Sequence, residues 1–282
     1  MTMDEKQIKQ IQQCEIDILK QVDRICKKYN LQYFAIGGTA LGAVRHGGFI
    51  PWDDDIDIGM RRKDYEKFLT IAKNELPEGY YLQNFYTEPN TPFYFTKIRK
   101  DGTKFVEYYL KDYDIHHGIF VDIFPFDHIP NNPQIEKIHY WVSRILYQLF
   151  LSKSLSTVCS SRFEQQGNYK KNYKYYIRKW MHVLLIPVPK TLLFKALDKS
   201  SRMFNHQPTK RIGHIVRRRL AVSKKVLCPL KWMDFDSVQM PVPKDYDAYL
   251  TNQFGDYMKL PSEEQRYGHL PYMVAFDDGG EA

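Results

Sequence analysis

Apolar residues recur at three- and four-residue steps along residues 4–29, with charged residues between them. This spacing predicts an amphipathic helix, and Asn30 is placed to end it. The apolar run 31–36 that follows predicts a short strand. Another strand is expected over 56–60, where apolar and polar residues alternate, and a helix over 64–75, where the steps become helical again. The start of the chain therefore combines helices and strands.

Further strands are expected in the next part of the chain, before the pattern becomes helical. Asp101-Gly102 lies between two of these strands and predicts a hairpin turn. Beyond Pro130 the apolar residues follow helical spacing and the strand signal is weak. The predicted strands are 80–86, 93–99, 104–110 and 118–124, and the predicted helices are 138–151, 174–186 and 191–204.

This order of elements predicts an α/β (α+β) protein with a mixed sheet at its core. We expect a catalytic core over 1–130 and a helical insertion over 131–233. The segment 234–282 is rich in Pro and Tyr, and we expect it to pack back on the core.

Charge divides the chain in the same places. The 282 residues carry a formal net charge of +8, but residues 131–233 contain 21 Lys and Arg against three acids, a balance of +18. The rest of the chain has 20 basic and 30 acidic residues, a balance of −10. An acidic core and a basic helical segment are expected to have different partners.

Several classes of protein are disfavoured. The N-terminal residues MTMDEKQIKQ are polar, so we expect no signal peptide. The longest apolar runs of the basic segment, ILYQLFLS and WMHVLLIPVP, fall short of the ~20 residues that cross a bilayer. A reducing, cytosolic setting is expected because the cysteines form no CxxC pair and no zinc spacing. They are Cys14, Cys26, Cys159 and Cys228.

The acidic run DDDID carries the clearest chemical signal. On a strand, Asp55 and Asp57 would point to one face while Ile56 points to the other. Two carboxylates about 7 Å apart on one face form a site for a divalent cation, and oxygen ligands favour Mg²⁺ or Mn²⁺. Asp122 lies within a second apolar strand, where a charge is costly unless it is paired or bound to a metal. A neighbouring strand could place Asp122 beside the first two acids.

The alternative is that DDDID is a solvated acidic turn and that Asp122 is a charge on an edge strand. Against it stands the apolar character of the residues that flank the acids, which does not suit a solvated loop. The strand-to-helix turn Gly37-Gly38-Thr39 is expected to bind phosphate oxygens. Glycines permit close backbone approach, and a helix N-terminus offers unpaired N–H groups; Thr39 would lie near the N-cap. A phosphate-binding turn opposite a metal site is what phosphoryl or nucleotidyl transfer requires.

Other side chains are candidates for substrate binding. Arg45 lies in the segment between the glycine turn and the acids, and it could contact a phosphate or simply lie at the surface. Lys97 and Arg99 share one face of a predicted strand, so both could reach a diphosphate. Trp52 is placed to contribute to an aromatic cage if the substrate carries a quaternary ammonium group.

At these residues the sequence resembles a known family. The pattern of an apolar residue before Gly37-Gly38, then Asp55 and Asp57, then Asp122 resembles the nucleotidyltransferase superfamily, related in fold to polymerase beta. The long gap between glycines and acids, GTALGAVRHGGFIPWDDDIDIGM, resembles the LicD family. The resemblance continues in TKIRKDGTKF, HGIFVDIFPFD and PVPKDYDAYLTNQFGDYMKLP, and it covers the basic middle only loosely.

The resemblance implies an Mg²⁺-dependent transferase that moves phosphocholine from CDP-choline to a sugar hydroxyl. The acceptor would be a lipid-linked cell-surface glycan precursor, of teichoic acid or lipopolysaccharide, and CMP would leave. The family's metal ligands correspond to Asp55 and Asp57, with Asp122 as the third acid and Asp53 as the first acid of the motif. CDP-ribitol or CDP-glycerol as donor, or a nucleotidyltransferase reaction, are the alternatives.

The basic segment 131–233 has three possible roles. Basic helices with aromatic and aliphatic residues on the other face are typical of membrane-surface elements. The segment could instead bind an anionic glycan, or present an ordinary solvated face. Nucleic acid is disfavoured because the core is acidic and no nucleic-acid-binding motif is present. The prediction is an enzyme on the cytoplasmic side, peripheral to the inner face of the cell membrane.

Overall fold

The computed structural model describes residues 3–155, 173–215, 217–269 and 271–276. Cys159 and the rest of 156–172 in the predicted insertion, and the end of the predicted C-terminal segment, 277–282, lie outside the described residues. The helices are α1 (Glu5–Tyr29), α2 (Gly37–His46), α3 (Arg62–Glu75), α4 (Pro133–Ser154), α5 (Tyr173–Leu184), α6 (Lys190–Arg202), α7 (Lys224–Leu227) and α8 (Tyr246–Phe254). The strands are β1 (Tyr33–Ala35), β2 (Ile56–Arg61), β3 (Tyr80–Gln83), β4 (Thr96–Lys100), β5 (Lys104–Glu107), β6 (Phe120–Ile129), β7 (Arg211–Gly213), β8 (Val222–Ser223), β9 (Lys231–Phe235), β10 (Val238–Val242) and β11 (Pro271–Ala275).

The first helix follows its predicted bounds because local groups satisfy both of its ends. The Asp4 side chain accepts a hydrogen bond from the backbone N–H of Gln7 at 2.7 Å, and the Gln7 side chain accepts one from the N–H of Asp4 at 3.1 Å. This capping box fixes the first turn. Asn30 ends the helix in the left-handed conformation, with φ of 51°.

A mixed seven-stranded sheet forms the centre of the fold, as the sequence predicts. Its order is β1-β2-β6-β4-β3, and β7 extends it by pairing with β6 and β8. Strands β2 and β6 are parallel, and the other pairs of this sheet are antiparallel. Two small antiparallel pairs, β9 with β10 and β5 with β11, complete the described strands.

The register of the two central strands separates an apolar face from an acidic one. Ile58 lies opposite Ile123, and both are fully buried in the main core with residues of α1. The next pair along the strands, Asp57 opposite Asp122, points to the other face because side chains alternate along a strand. One face of the sheet therefore holds the core, and the other carries carboxylates.

The hairpin predicted at Asp101-Gly102 is wrong. The chain does turn there, with Gly102 at a φ of 75°, but β4 joins the main sheet while β5 pairs with β11. The dipeptide signals a local turn, whereas the strand partner is decided by the C-terminal segment.

The basic segment contributes both helices and strands. Helices α4 and α6 pack together through Phe150, Phe194 and Leu197. Strands β7 and β8, which the apolar pattern does not predict, extend the main sheet from within this segment. The C-terminal segment contacts the core through β11 and through α8, which packs on α2. The division into three parts stays a prediction.

Two findings concern the described helices and the cysteines. Across the described ranges, no helix combines the length and the hydropathy needed to cross a membrane. Cys14 and Cys26 are buried in the core, and no disulfide joins either of them or Cys228.

Candidate active site

A cavity of about 460 Å³ opens on the acidic face of the main sheet. It brings together two ends of different chemistry. The polar lining consists of Asp55, Asp57, Lys97, Glu107, Asp122, Arg217 and His269, and the aromatic and apolar lining of Pro92, Phe93, Phe95, Tyr109, Phe120, Tyr147, Leu151 and Leu155.

The acids predicted from the sequence meet in this cavity. Asp57 and Asp122 are opposite each other on the parallel strands, and Asp55 enters from the residue before β2. Burial and the charge of Asp55 raise the pKa of Asp57 to about 7. Burial raises the pKa of Asp122 to about 6, although Lys97 opposes the rise, and burial also raises the pKa of Asp55. A cation between them would relieve this shared cost of ionisation.

Two basic side chains partly balance the acids. Lys97 is 2% exposed, and its Nζ lies 2.8 Å from Asp122 Oδ1 and 4.0 Å from Glu107 Oε2. Arg217 Nη1 lies 3.7 Å from Asp57 Oδ2. Burial opposes ionisation of Glu107, but Lys97 and then His269 hold its pKa below the usual value. Lys97 therefore lies beside the acids, and its predicted contact with a diphosphate stays a prediction, whereas no local pattern marks Glu107 or Arg217.

A second pairing involves two residues that sequence reasoning left out. Asp54 is 1% exposed, and it accepts hydrogen bonds from the backbone N–H of His269 at 2.8 Å and pairs with His269 Nδ1 at 3.0 Å. Partial desolvation of the His269 ring, which is 46% exposed, opposes its protonation, but Asp54 and Asp55 raise its pKa well above the usual value. Within the described ranges, ligand atoms of Asp54, Asp55 and His269 lie within 4.8 Å of one another, close enough to hold a metal ion. No ligand signal marks His269 in the sequence, because only the fold brings it to Asp54.

The glycine turn packs directly against the acids. Gly37 begins α2 with a φ of 55°, and a Cβ on Gly38 would lie 2.6 Å from Asp53 Oδ2. Thr39 is not the N-cap that its position predicts; Ile36 takes that place without a side-chain bond. Thr39 is buried, and its Oγ1 accepts a hydrogen bond from the N–H of Asp57 at 2.8 Å. These three residues fix the strand that carries the acids, and they lie outside the lining of the cavity.

Two further acids lie close to the cluster. Asp53 contacts Gly38, and burial together with Asp55 raises its pKa well above the usual value. Glu15 of α1 is 1% exposed, and burial followed by the charges of Asp55 and Asp54 raises its pKa. Neither residue lines the cavity. They lie behind it, and their raised pKa values favour the uncharged form.

Three further predicted substrate-binding residues do not line the cavity. The Arg45 guanidinium donates to the carbonyl of Tyr257 at 2.7 Å, so it ties α2 to the C-terminal segment. Arg99 is fully buried and donates to Gly118 O at 2.5 Å, away from the acids that its neighbour Lys97 reaches. Trp52 stacks under Arg266, with the guanidinium carbon 5.4 Å from the ring centroid. Lys97 and Arg99 share one face of a strand, yet their long side chains extend to different partners.

The aromatic end of the cavity already surrounds a cation. Lys97 Nζ lies 3.2 Å from the centroid of Phe120, 4.8 Å from that of Phe93 and 5.4 Å from that of Phe95. The negative faces of these rings stabilise positive charge. Tyr109 and Tyr147 line the same cavity. Lys97 already occupies the faces of the three phenylalanine rings, and Trp52, which was expected to contribute to a cage, is not among the aromatic residues of this lining.

Without divalent cations, the melting temperature is expected to fall as the pH rises from about 5 to about 8. In the folded chain Asp57 and Asp122 have pKa values of about 7 and about 6, above the ordinary Asp value of 3.8 that applies to the unfolded chain. The folded chain therefore binds more protons than the unfolded chain in this pH range. The stability present at low pH is lost as the pH passes these values. Differential scanning fluorimetry should show a fall of at least about 4 °C.

The Asp57→Asn variant is the control, because it removes the largest of these shifts and should melt with a smaller dependence on pH. Addition of Mn²⁺ or Mg²⁺ should raise the melting temperature of the original chain more at pH 8 than at pH 5. If the melting temperatures of the original chain and of Asp57→Asn depended on pH in the same way, ionisation of Asp57 would not be the cause of the lost stability.

The fold and the cavity together define a mixed α/β protein whose acidic and basic groups are suited to a cation and a phosphate ester. Residues 30–147 match the family model described as "LicD/FKTN/FKRP, nucleotidyltransferase domain", and the chain therefore carries a LicD-family domain. This confirms the resemblance seen in the motifs. The matched range contains the glycine turn and the three acids of the cavity.

The chain is similar to proteins of known name over very different lengths. It is 27% identical over 276 residues, 90% of this chain and 92% of the relative, to the lipopolysaccharide cholinephosphotransferase LicD of Haemophilus influenzae. It is 50% identical over 34 residues to the human ribitol 5-phosphate transferase FKRP, which is 12% of this chain and 7% of that relative. An uncharacterised protein of Rickettsia typhi is 39% identical over 67 residues.

Proposed function

We propose that this protein is a phosphotransferase that moves phosphocholine from CDP-choline to a sugar hydroxyl of a lipid-linked cell-surface glycan precursor. One observation carries the proposal: a single cavity holds Asp55, Asp57 and Asp122 together with five aromatic rings. A phosphate ester needs the first group of residues, and a trimethylammonium group needs the second. The similarity to a lipopolysaccharide cholinephosphotransferase over 90% of the chain supports the same reaction.

The sheet would then be a nucleotidyltransferase-like core of the polymerase beta type. The described residues fit an Mg²⁺ or Mn²⁺ ion, because carboxylates with raised pKa values converge where the cation would compensate them. Asp55 and Asp57 would hold the ion, with Asp122, Asp53, Asp54 or His269 as further ligands. When bound, it would neutralise charge on the diphosphate of the donor.

The protein's own groups account for the remaining steps. The acceptor hydroxyl attacks the phosphorus of phosphocholine, the bond from that phosphorus to the bridging oxygen breaks, and CMP leaves. Asp122 is placed to take the hydroxyl proton, since a pKa of about 6 leaves it ionised at neutral pH but still basic. Arg217, half-exposed beside Asp57, would bind an oxygen of the transferred phosphate.

The test is incubation with CDP-choline, Mg²⁺ and a panel of sugar acceptors. Release of CMP without pyrophosphate, together with a phosphocholine-modified acceptor, fits this function. Release of pyrophosphate from CTP would instead identify a nucleotidyltransferase. Parallel reactions with CDP-ribitol and CDP-glycerol decide the donor, and a preference for either would reject the choline assignment.

Part of the surface is also suited to a membrane. The apolar stripe of α4, defined here as Ile135, Ile138, Trp141, Val142 and Ile145, is exposed to solvent, with Ile138 at 65% and Trp141 at 52%. Its residues lie three and four positions apart and share one face of the helix. Helix α5 exposes Trp180 and Leu184 as well. Lys and Arg outnumber acids by 21 to 3 in 131–233, so we propose that this face docks on an anionic bilayer at the inner surface of the cell membrane.

Vesicle flotation tests this docking. The protein should float with phosphatidylglycerol-containing vesicles at low salt and much less with neutral vesicles, because the lysines and arginines attract anionic headgroups. The variant Ile138→Asp/Ile145→Asp should lose at least tenfold in affinity, since it places charges in the stripe. The matched control, Met258→Asp/Leu260→Asp, changes two exposed apolar residues of the C-terminal segment and should bind normally. Failure of the unmodified protein to float at low salt would reject the proposal.

A further inference from the structure

A second cavity, of about 600 Å³, adjoins the candidate active site. Three successive arginines, Arg217, Arg218 and Arg219, line it together with Tyr140 of α4. Gln253 and Phe254, at the end of α8, belong to the same lining. We call this feature the arginine groove.

The groove carries more positive charge than its neighbours neutralise. Arg218 Nη2 is 3.6 Å from Glu136 Oε1, and Glu136 is shared with Arg211, so one carboxylate serves two arginines. Arg217 is paired with Asp57 at 3.7 Å across the boundary with the active site. The side chains of Arg217 and Arg218 remain 50% and 62% exposed. Arg219 is exposed as well.

A row of three exposed arginines is suited to bind phosphate. Guanidinium groups are always charged at neutral pH and present paired N–H donors that match phosphate oxygens. Phe254 and Tyr140 add apolar surface beside the charges. The combination favours a phosphate or diphosphate ester over a small inorganic anion alone.

The position of the groove indicates which substrate it serves. Arg217 lines both cavities, whereas Arg218 and Arg219 line only the groove. A donor must place its phosphates against the acids of the active site, so the groove is left for the other reactant. Tyr140 of the groove and Trp141 of the apolar stripe are neighbours on α4, so the groove and the stripe meet on this helix.

We propose that the arginine groove binds a phosphate or diphosphate group of the acceptor and so directs the acceptor hydroxyl toward Asp122. The proposal rests on the transferase function proposed above for the adjoining cavity. It adds that the acceptor is anionic and that its charged group is held outside the cavity in which the donor reacts.

Binding can be tested without turnover. In the absence of divalent cations, the acids of the active site repel anions, so titration calorimetry with geranyl diphosphate and inorganic pyrophosphate reports the groove. Geranyl diphosphate should bind more tightly than pyrophosphate, and geraniol should not bind. The variant Arg218→Gln/Arg219→Gln should weaken diphosphate binding at least tenfold, whereas Lys195→Gln/Lys199→Gln, which removes the same charge from α6, should change it less than twofold. Unchanged binding by the arginine variant would overturn the proposal.

Kinetics separate the two substrates. The arginine variant should raise the KM for a phosphate-bearing acceptor at least tenfold and change the KM for the donor less than twofold. A rise in the donor KM alone would assign the groove to the donor and overturn the proposal. If no CDP-alcohol supports transfer, the proposed function fails, and the calorimetric result still decides whether the groove binds diphosphates.

Discussion

Replacement of Asp57 by Asn is expected to lower kcat by at least roughly 10³-fold, the largest effect on activity that the structure predicts. Asn keeps the shape of the side chain but removes the charge at the centre of the cavity, opposite Asp122 on the parallel strands. The loss is measured as CMP released from CDP-choline in the presence of Mg²⁺. Asp17→Asn is the matched control, because Asp17 is an exposed acid of α1 paired with Lys20.

Stability distinguishes a functional loss from a folding defect in this variant. Burial makes the ionised form of Asp57 costly, so metal-free Asp57→Asn should melt at the same temperature as the original protein or higher at pH 8. Activity should therefore fall while stability does not. Cation-dependent turnover close to that of the unmodified protein would exclude Asp57 from the cation site.

The largest effect on stability is expected from Arg62→Met. Arg62 is 8% exposed and forms two hydrogen bonds with Asp127, at 2.8 and 2.6 Å, and one contact of 3.4 Å with Asp198 of α6. Removing it leaves the carboxylate of Asp127 buried without its main partner, which costs about 3–5 kcal/mol. Thermal and urea denaturation should show this loss, with a fall of roughly 6–15 °C in melting temperature.

A second substitution separates the buried charge from simple loss of packing. In Arg62→Met/Asp127→Leu both charges are gone, so at least half of the lost stability should return. Arg24→Met removes an exposed arginine that pairs with Glu75, and it should cost no more than about 1 kcal/mol. A double variant that is less stable than the single one would show that the ion pair is not the source of the effect.

Local pattern predicts much of this molecule because its central strands are regular. Alternation along β2 and β6 places Asp57 and Asp122 each on the face of its own strand that is opposite to the apolar residues, and the apolar neighbours of Asp122 mark it as a buried acid. Helix α1 is also predicted correctly, since the spacing of its apolar residues and its capping residues indicate the same bounds. The parallel register that aligns the two acids is a property of the folded sheet.

The remaining site residues depend on contacts between distant segments. His269 pairs with Asp54 across 215 positions, and nothing local to either residue indicates the other. Arg217 reaches Asp57 from a part of the basic segment that only loosely resembles the family. Arg99 and Trp52 lie outside the cavity lining for a related reason: the element and its face can be predicted, but the end point of a long side chain depends on the groups packed around it.

Helix α4 links three features that otherwise look separate. Its outer face carries the apolar stripe, Tyr140 borders the arginine groove, and its last turns supply Tyr147 and Leu151 to the active-site cavity. At 1.5 Å per residue the helix is a rod roughly 33 Å long. A bilayer that holds this rod at one angle would therefore also hold one side of the cavity at that angle, because both belong to one helix.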